Sequence, residues 1–547
     1  MKAREQLMSA SFEIKGIWYF PWQNMDRDGI QGILKYTSQR ITLELIGTLE
    51  EETGEKYASK RNSYKQVIYG FSNHGEWLAL YGCFIIRTQT GIPGFSTVTY
   101  LVDQFYAGSQ LIENEDAVIV EDITFLFTYL DAWMNIHIIE SREYRDSGRI
   151  EWSVDLEKAL SQKKSIKLNP DNISIVEEIG YTIDHSNDFF SEETTNISIK
   201  RFYRLSLIDK SCFSYKHQRD NLQKIKRLLT MLIGSPLYFL YIDFNLPNKQ
   251  ETTHDGKEYK IKNSCRLFFR QVGEINTPQK ISPYSDSVLF FRKHIQDNIE
   301  VIFNKWFSQQ NLLSEIVNPY INDLYLPAYQ YTRFLNTVRS LETFHRFFIE
   351  DKETPSVSDS SKEKELIISF INENVSEENR AAFIEKINYE DEKSLHKRLK
   401  EIFRLTPDAL MNKLFGHPNT KDKNKILQII VQTRNYFTHR DNMKKYPLAL
   451  GINDLMILEQ YIKRLCILLQ FHVFKCIDMN PNIIEERLIH YSNHYEPFYL
   501  TKNKDRDAMK PPHLPRTFLF PALFVYISLS KLDELKSSKE KHILLHG

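Results

Sequence analysis

Residues 455–476 read LMILEQYIKRLCILLQFHVFKC, with Leu455, Leu458, Ile462, Leu465, Leu469, His472 and Cys476 recurring three or four positions apart. That spacing holds for about six turns, and it describes one long amphipathic helix with a buried stripe. Working outward, Phe334, Val338, Leu341, His345 and Phe348 repeat the pattern in an earlier helix. Between the two, residues 363–374, 377–387, 394–402 and 426–438 read as shorter helices, and the polar stretch 351–362 (DKETPSVSDSSK) as a loop. The C-terminal half is therefore expected to be an all-α bundle.

Toward the N-terminus the period changes. Ile41-Thr-Leu-Glu-Leu-Ile46 alternates apolar and polar and stops at Gly47. Residues 77–86, 96–106, 117–127 and 173–183 are also rich in β-branched and aromatic side chains, with turn formers such as Gly91-Ile-Pro-Gly94 between runs. Strands with turn punctuation suit a sandwich or an open barrel better than βαβ units. One helix is expected at 221–233, then strands at 237–244 and 265–272. The fold class is α+β: a β-rich, sandwich-like domain over 1–283, a helical domain over 284–500, and an extension over 501–547. Two prolines among polar residues at 276–283 mark the first boundary.

Composition narrows the function. The 547 residues hold 71 Lys and Arg against 71 Asp and Glu, so no global field draws the chain onto polyanions, and such a partner must meet a local patch. The 5 cysteines are scattered without a C-x-x-C pair, which excludes a zinc ribbon or disulfide framework and fits a reducing cytoplasm. No apolar h-region follows the N-terminus, so no signal peptide is expected. The longest apolar run, 518–529, would span about 18 Å as a helix against about 30 Å of hydrocarbon, and is read as a buried element, not a membrane contact.

Walker A, G-x-G-x-x-G, H-E-x-x-H, G-x-S-x-G and EF-hand patterns are all absent. His490 and His494 lie four apart near Glu485, Glu486 and Glu496, a spacing common on surface helices, and no metal or cofactor is expected. The segment that stands out is Val431-Gln-Thr-Arg-Asn-Tyr-Phe-Thr-His439, followed by Arg440 and Asp441. Arg434 and His439 are five residues apart, about 140° around an ideal helix, and would converge on one ligand only if the helix loosens after Tyr436. Between His417 and Tyr446, seven Lys and Arg stand against two Asp, a net +5 inside a neutral chain. That is the footprint of a local polyanion site. The spacing alone is not specific, because Arg339/His345, Arg487/His494 and Arg506/His513 come close to it. His345 falls on its helix's core stripe and reads as a satisfied buried histidine. For Arg434 the plain alternative is an ion pair with Glu342 or Asp441, and for Asn435 a helix cap.

TRNYFTHRD (433–441) resembles the R-(polar)-x-x-x-H motif of HEPN ribonucleases, including the Asn directly after the Arg. The helices YTRFLNTVRSLETFHRFF (331–348) and SLHKRLKEIF (394–403) precede it in the order of that helical domain. FEIKGIWYFPWQNMDRDGIQGILKY (12–36) with ITLELIGTL (41–49) is similar to the β-rich N-terminal domain of ApeA-type anti-phage defence proteins. The resemblance implies a homodimer that pairs two motifs in one cleft and cleaves RNA, tRNA or mRNA, without a metal. In that role Arg434 would clamp the phosphate, His439 would move the proton, and Asn435 would orient them. Tyr436 and Arg440 would contact substrate, and Glu342 resembles a recurrent structural acid. The resemblance further implies a cytoplasmic effector of abortive infection, with the β-rich half holding it inactive until a phage-derived trigger arrives. The runner-up is a non-catalytic RNA- or nucleotide-binding module acting as a regulator, and a third reading is a purely structural interaction protein.

Overall fold

The alternation in ITLELI becomes a strand that buries Ile41, Leu43 and Leu45 and leaves Ile46 exposed. This computed structural model describes residues 2–49, 66–89, 94–135, 139–144, 149–154, 162–168, 173–187, 195–209, 215–252, 258–271, 288–350, 359–389, 393–440, 442–494 and 498. In chain order the strands are β1 (Phe12–Tyr19), β2 (Ile30–Tyr36), β3 (Ile41–Ile46), β4 (Gln66–Ser72), β5 (Trp77–Gln89), β6 (Thr97–Leu101), β7 (Gln104–Gly108) and β8 (Asp122–Phe127). They continue as β9 (Ile139–Tyr144), β10 (Arg149–Val154), β11 (Gln162–Leu168), β12 (Ile173–Asn187), β13 (Thr195–Asp209), β14 (Phe239–Thr252) and β15 (Glu258–Phe269).

The main sheet has 13 strands in the order β11-β12-β13-β8-β14-β15-β7-β5-β4-β1-β2-β3-β6, and β6 also pairs with β5. That last pairing closes β5, β4, β1, β2, β3 and β6 into an antiparallel barrel, from which the other strands extend as an open wing. Strands β9 and β10 form a separate pair. Of the two expected β architectures, the barrel is thus the one realised in the first strands.

Two glycines make the closure work. The first part of β5 pairs with β7 and the later part with β6, and the strand bends between them at Gly82, where φ is +66°. A Cβ there would run into the Asp103 side chain. A left-handed turn inside a strand is a place only glycine takes without strain. The same corner explains why the single run expected at 96–106 is two strands: Val102 and Asp103 donate instead to Ile41 and Tyr81 as the chain crosses from one partner to the next. Gly70 leaves room for the fully buried Trp18 ring, which a Cβ would overlap.

Apart from two short helical turns at Met25–Asp28 and Leu130–Met134, the helices among the described residues are α1 (Tyr215–Ile233), α2 (Ile299–Ser308), α3 (Gln310–Tyr325), α4 (Gln330–Phe344), α5 (Asp359–Asn374), α6 (Glu377–Tyr389), α7 (Leu395–Leu405), α8 (Asp408–Phe415), α9 (Thr420–His439), α10 (Leu455–Cys476) and α11 (Pro481–Tyr491). α4 widens into a π turn at His345–Ile349, where Glu350 N donates to the His345 carbonyl at 2.8 Å. Part of the expected loop at 351–362 is helical, since α5 begins at Asp359, where Asp and Ser favour a helix start; 351–358 lies outside the described residues. So does the expected boundary at 276–283, as do the run 518–529 and the whole of 501–547.

Residues 1–498 form one compact unit, and specific bonds join its β-rich and helical parts. Buried Arg292 grips Glu177 of β12 with two N–H groups at 2.9 Å each. The Trp306 indole donates to the Lys224 carbonyl of α1, and Leu237 N donates to the Tyr325 hydroxyl of α3. Arg487 of α11 donates to the carbonyls of Leu289 and Val288. Among the described residues no helix is long and apolar enough to cross a membrane.

Candidate active site

The segment carrying the basic cluster becomes the 20-residue helix α9. Its start is set by Asn419, whose side chain accepts from Asp422 N while Asp422 accepts from Asn419 N. Ile426, Leu427, Ile429, Ile430 and Phe437 are buried, so the apolar stripe fixes which face looks outward. The polar residues ahead of the motif pin the following loop: Thr433 Oγ1 accepts from Leu450 N and Gln432 Oε1 from Leu448 N, each at 2.9 Å.

The helix does not loosen after Tyr436. It runs to His439 and is closed by Arg440 N donating to the Tyr436 carbonyl at 2.8 Å. Arg434 and His439 therefore keep their divergence of about 140°, and among the described residues Arg434 is held by Glu342 and Asn435, with no bond to His439. Arg434 is half-buried, with Nη2 3.7 Å from Glu342 of α4 and Nη1 donating to Asn435 Oδ1 at 3.0 Å. Of the two candidate acids, Glu342 is the observed partner; Asp441 lies outside the described residues. Glu342 also accepts from Arg346 at 3.1 Å, so it holds two guanidinium groups. His439 is exposed at the helix end, and no hydrogen bond or ion pair among the described residues involves its ring.

Arg440 takes a left-handed conformation (φ +52°) at the helix C-cap, a place usually filled by glycine. Its guanidinium lies 5.4 Å from the Tyr331 ring centroid, in cation–π range, which helps offset the strain. Tyr436 is half-buried, 5.2 Å from Phe437, which in turn lies 6.0 Å from Tyr331. Asn435 does not cap a helix end; it sits in the last turns of α9 beside Arg434. Sequence reading missed Tyr331. The available signal was its place eleven residues before Glu342, three turns along the same face of α4.

The other histidines separate cleanly from this site. His345 is fully buried, as its core position implied, but it is only half satisfied: Nε2 lies 2.6 Å from Glu401, while Nδ1 has no hydrogen-bond partner among the described residues. Burial works to raise the Glu401 pKa, but hydrogen bonds from His345 and Lys393 and the Lys393 charge outweigh it and hold the carboxyl below its ordinary value. No group of three or more His, Cys, Asp or Glu among the described residues is arranged to hold a metal ion; the His494 side chain and Glu496 lie outside them.

Comparison with known proteins divides the chain into two matches. Residues 13–306 match the family model ApeA N-terminal domain 1, and residues 335–481 match Apea-like HEPN. The first covers the barrel, the wing and most of α2. The second covers Glu342, Arg434, Asn435, His439 and Arg440. No curated protein and no solved structure matches.

Proposed function

The chain belongs to the ApeA family, with its β-rich N-terminal domain and C-terminal HEPN domain, and from that premise we propose that it is an endoribonuclease effector of anti-phage defence. The observation that carries this reading is the placement of Arg434 and His439 at the outer end of α9, in a segment with a net charge of +5, inside the matched HEPN region. Their divergence on a regular helix favours a cleft built by two copies of the chain, Arg434 from each flanking the phosphate and His439 from each serving as acid or base. Ile452, Leu455 and Met456 are exposed at the start of α10, at the same end of the bundle, and suit such an interface.

The reaction follows from the side chains. An imidazole can accept and release a proton, so the His439 ring can take the proton of a ribose 2′-hydroxyl. The 2′-oxygen bonds to phosphorus, the bond from phosphorus to the 5′-oxygen breaks, and the second copy's imidazolium protonates the leaving oxygen. Arg434 stabilises the charge that builds on the phosphate, and Asn435 keeps its guanidinium oriented. The products are a 2′,3′-cyclic phosphate and a 5′-hydroxyl, with no metal needed. Residues 284–500 are the cytoplasmic effector, and 1–283 the part that senses a phage-derived trigger and restrains it.

The deciding experiment compares full-length wild type and His439→Ala on total RNA, tRNA and mRNA included, with excess EDTA. Loss of an acid–base group lowers the rate by about 10²–10⁴. Cleavage untouched by the substitution sinks the assignment of His439, and cleavage abolished by chelation sinks the metal-free route. One observation favours a second reading, a regulator that binds RNA or nucleotide without cutting: Arg434 is already engaged by Glu342 within one chain. Binding without cleavage by either protein would select it.

A further inference from the structure

The end of the bundle that carries His439 also presents a stack of aromatic rings. Tyr329 sits just before α4, at its N-cap, and its ring lies parallel to that of Tyr331, at 5.8 Å between centroids and 5° between planes. Arg440 covers Tyr331, and Phe437 packs behind it. Tyr329 is 77% exposed, and no hydrogen bond among the described residues uses either tyrosine hydroxyl. An aromatic ring held flat, open on one face and backed by a second ring is expensive to leave in water unless something lies on it.

The surroundings indicate what that is. Arg440 is chain neighbour to His439, and exposed Lys444 follows in the same +5 segment. Cations beside a flat aromatic face match a phosphate backbone carrying an unstacked base, the pairing by which single-stranded nucleic acid is held. We propose that Tyr329 and Tyr331 form the platform on which a base of single-stranded RNA stacks, with Arg440 bridging the platform to the phosphate beside His439. This rests on the ribonuclease reading and extends it from the cleaved bond to the adjoining nucleotide. It makes the substrate an unpaired segment, since a base inside a duplex cannot reach the ring.

The test uses the full chain carrying His439→Ala, so that RNA is bound and not cut, and a short single-stranded RNA with one 2-aminopurine. Binding should quench the 2-aminopurine, and adding Tyr329→Ala should abolish the quench and weaken binding about 5- to 150-fold, the range for one stacked base. Tyr329→Phe should keep both. Tyr331→Ala, measured alongside a thermal melt to confirm folding, should act as Tyr329→Ala does. The inference is overturned if Tyr329→Ala quenches and binds as its parent does while wild type still cleaves RNA; the ribonuclease reading then survives alone. If Tyr329→Ala only splits a dimer in sedimentation, with quenching intact, the face belongs to a second copy and the platform is wrong. If the parent binds no RNA and wild type cuts none, both fall together.

Discussion

Arg292→Met tests the joint between the sheet and the helices. Arg292 Nε and Nη2 each donate to one Glu177 oxygen at 2.9 Å, and the two side chains are only 10% and 3% exposed. The Tyr203 hydroxyl adds a bond to Glu177 at 3.2 Å. Methionine fills the space of the aliphatic stem and removes both donors, leaving a buried carboxylate with Tyr203 as its partner among the described residues. Each charge-assisted bond contributes about 1.5–3 kcal/mol, and breaking a buried pair from one side costs about 3–5 kcal/mol. Removing both charges, in Arg292→Met with Glu177→Leu, eliminates the stranded ion, and such exchanges are neutral or stabilising. The double variant should therefore be more stable than Arg292→Met alone by about 2 kcal/mol or more. Urea denaturation of wild type, both single variants and the double, followed by far-ultraviolet circular dichroism and tryptophan fluorescence, measures it. The reasoning is refuted if Arg292→Met costs less than about 1 kcal/mol, or if the two single effects simply add.

Burial and then Lys475 push the pKa of His472 down to about 4, and its Nε2 lies 3.0 Å from the Thr406 hydroxyl. The unfolded histidine binds a proton from about pH 6.5 downward while the folded one does not, so its contribution is full above that pH and is lost as pH falls toward 4, at up to about 1.4 kcal/mol per pH unit. The melting temperature should drop across this window, and His472→Gln should flatten the drop; an unchanged slope would contradict it. Thr433→Val strands the Leu450 amide, which should cost about 1–3 kcal/mol and speed hydrogen exchange at Leu450. RNA cleavage should fall with it if the loop behind His439 matters. Gly82→Ala forces a side chain into φ +66° against Asp103, for a loss of about 1–3 kcal/mol; a melting curve identical to wild type would show that the barrel corner tolerates it.

Periodicity marked most elements because each buries one face. The stripe from Leu455 to Cys476 became α10 with the expected ends, but Leu455 is exposed and the helix is buried on all sides from Ile467 to Phe474, so its burial exceeds one stripe; the alternation at 41–46 became β3. It failed where pairing partners change along one strand. Nothing local distinguishes the residues of β6 from those of β7, and only the crossing from β5's second half to its first separates them. The candidate site shows the same split. Arg434, Asn435, His439 and Arg440 were visible as a charged motif, whereas Tyr331 meets Arg440 and Phe437 only because α4 packs against α9.

By itself the sequence determined the α+β division, the family and the residue types able to move a proton and hold a phosphate, since side-chain spacing and chemistry are local properties. The tertiary structure decided which strand closes the barrel, which acid holds Arg434 and that α9 stays helical to His439. Those outcomes depend on bonds between residues far apart in the chain: Leu450 to Thr433, Glu342 to Arg434 and Arg440 over Tyr331. A helix held rigid by such bonds keeps its two motif residues apart, which is why the folded chain directs attention to a second copy.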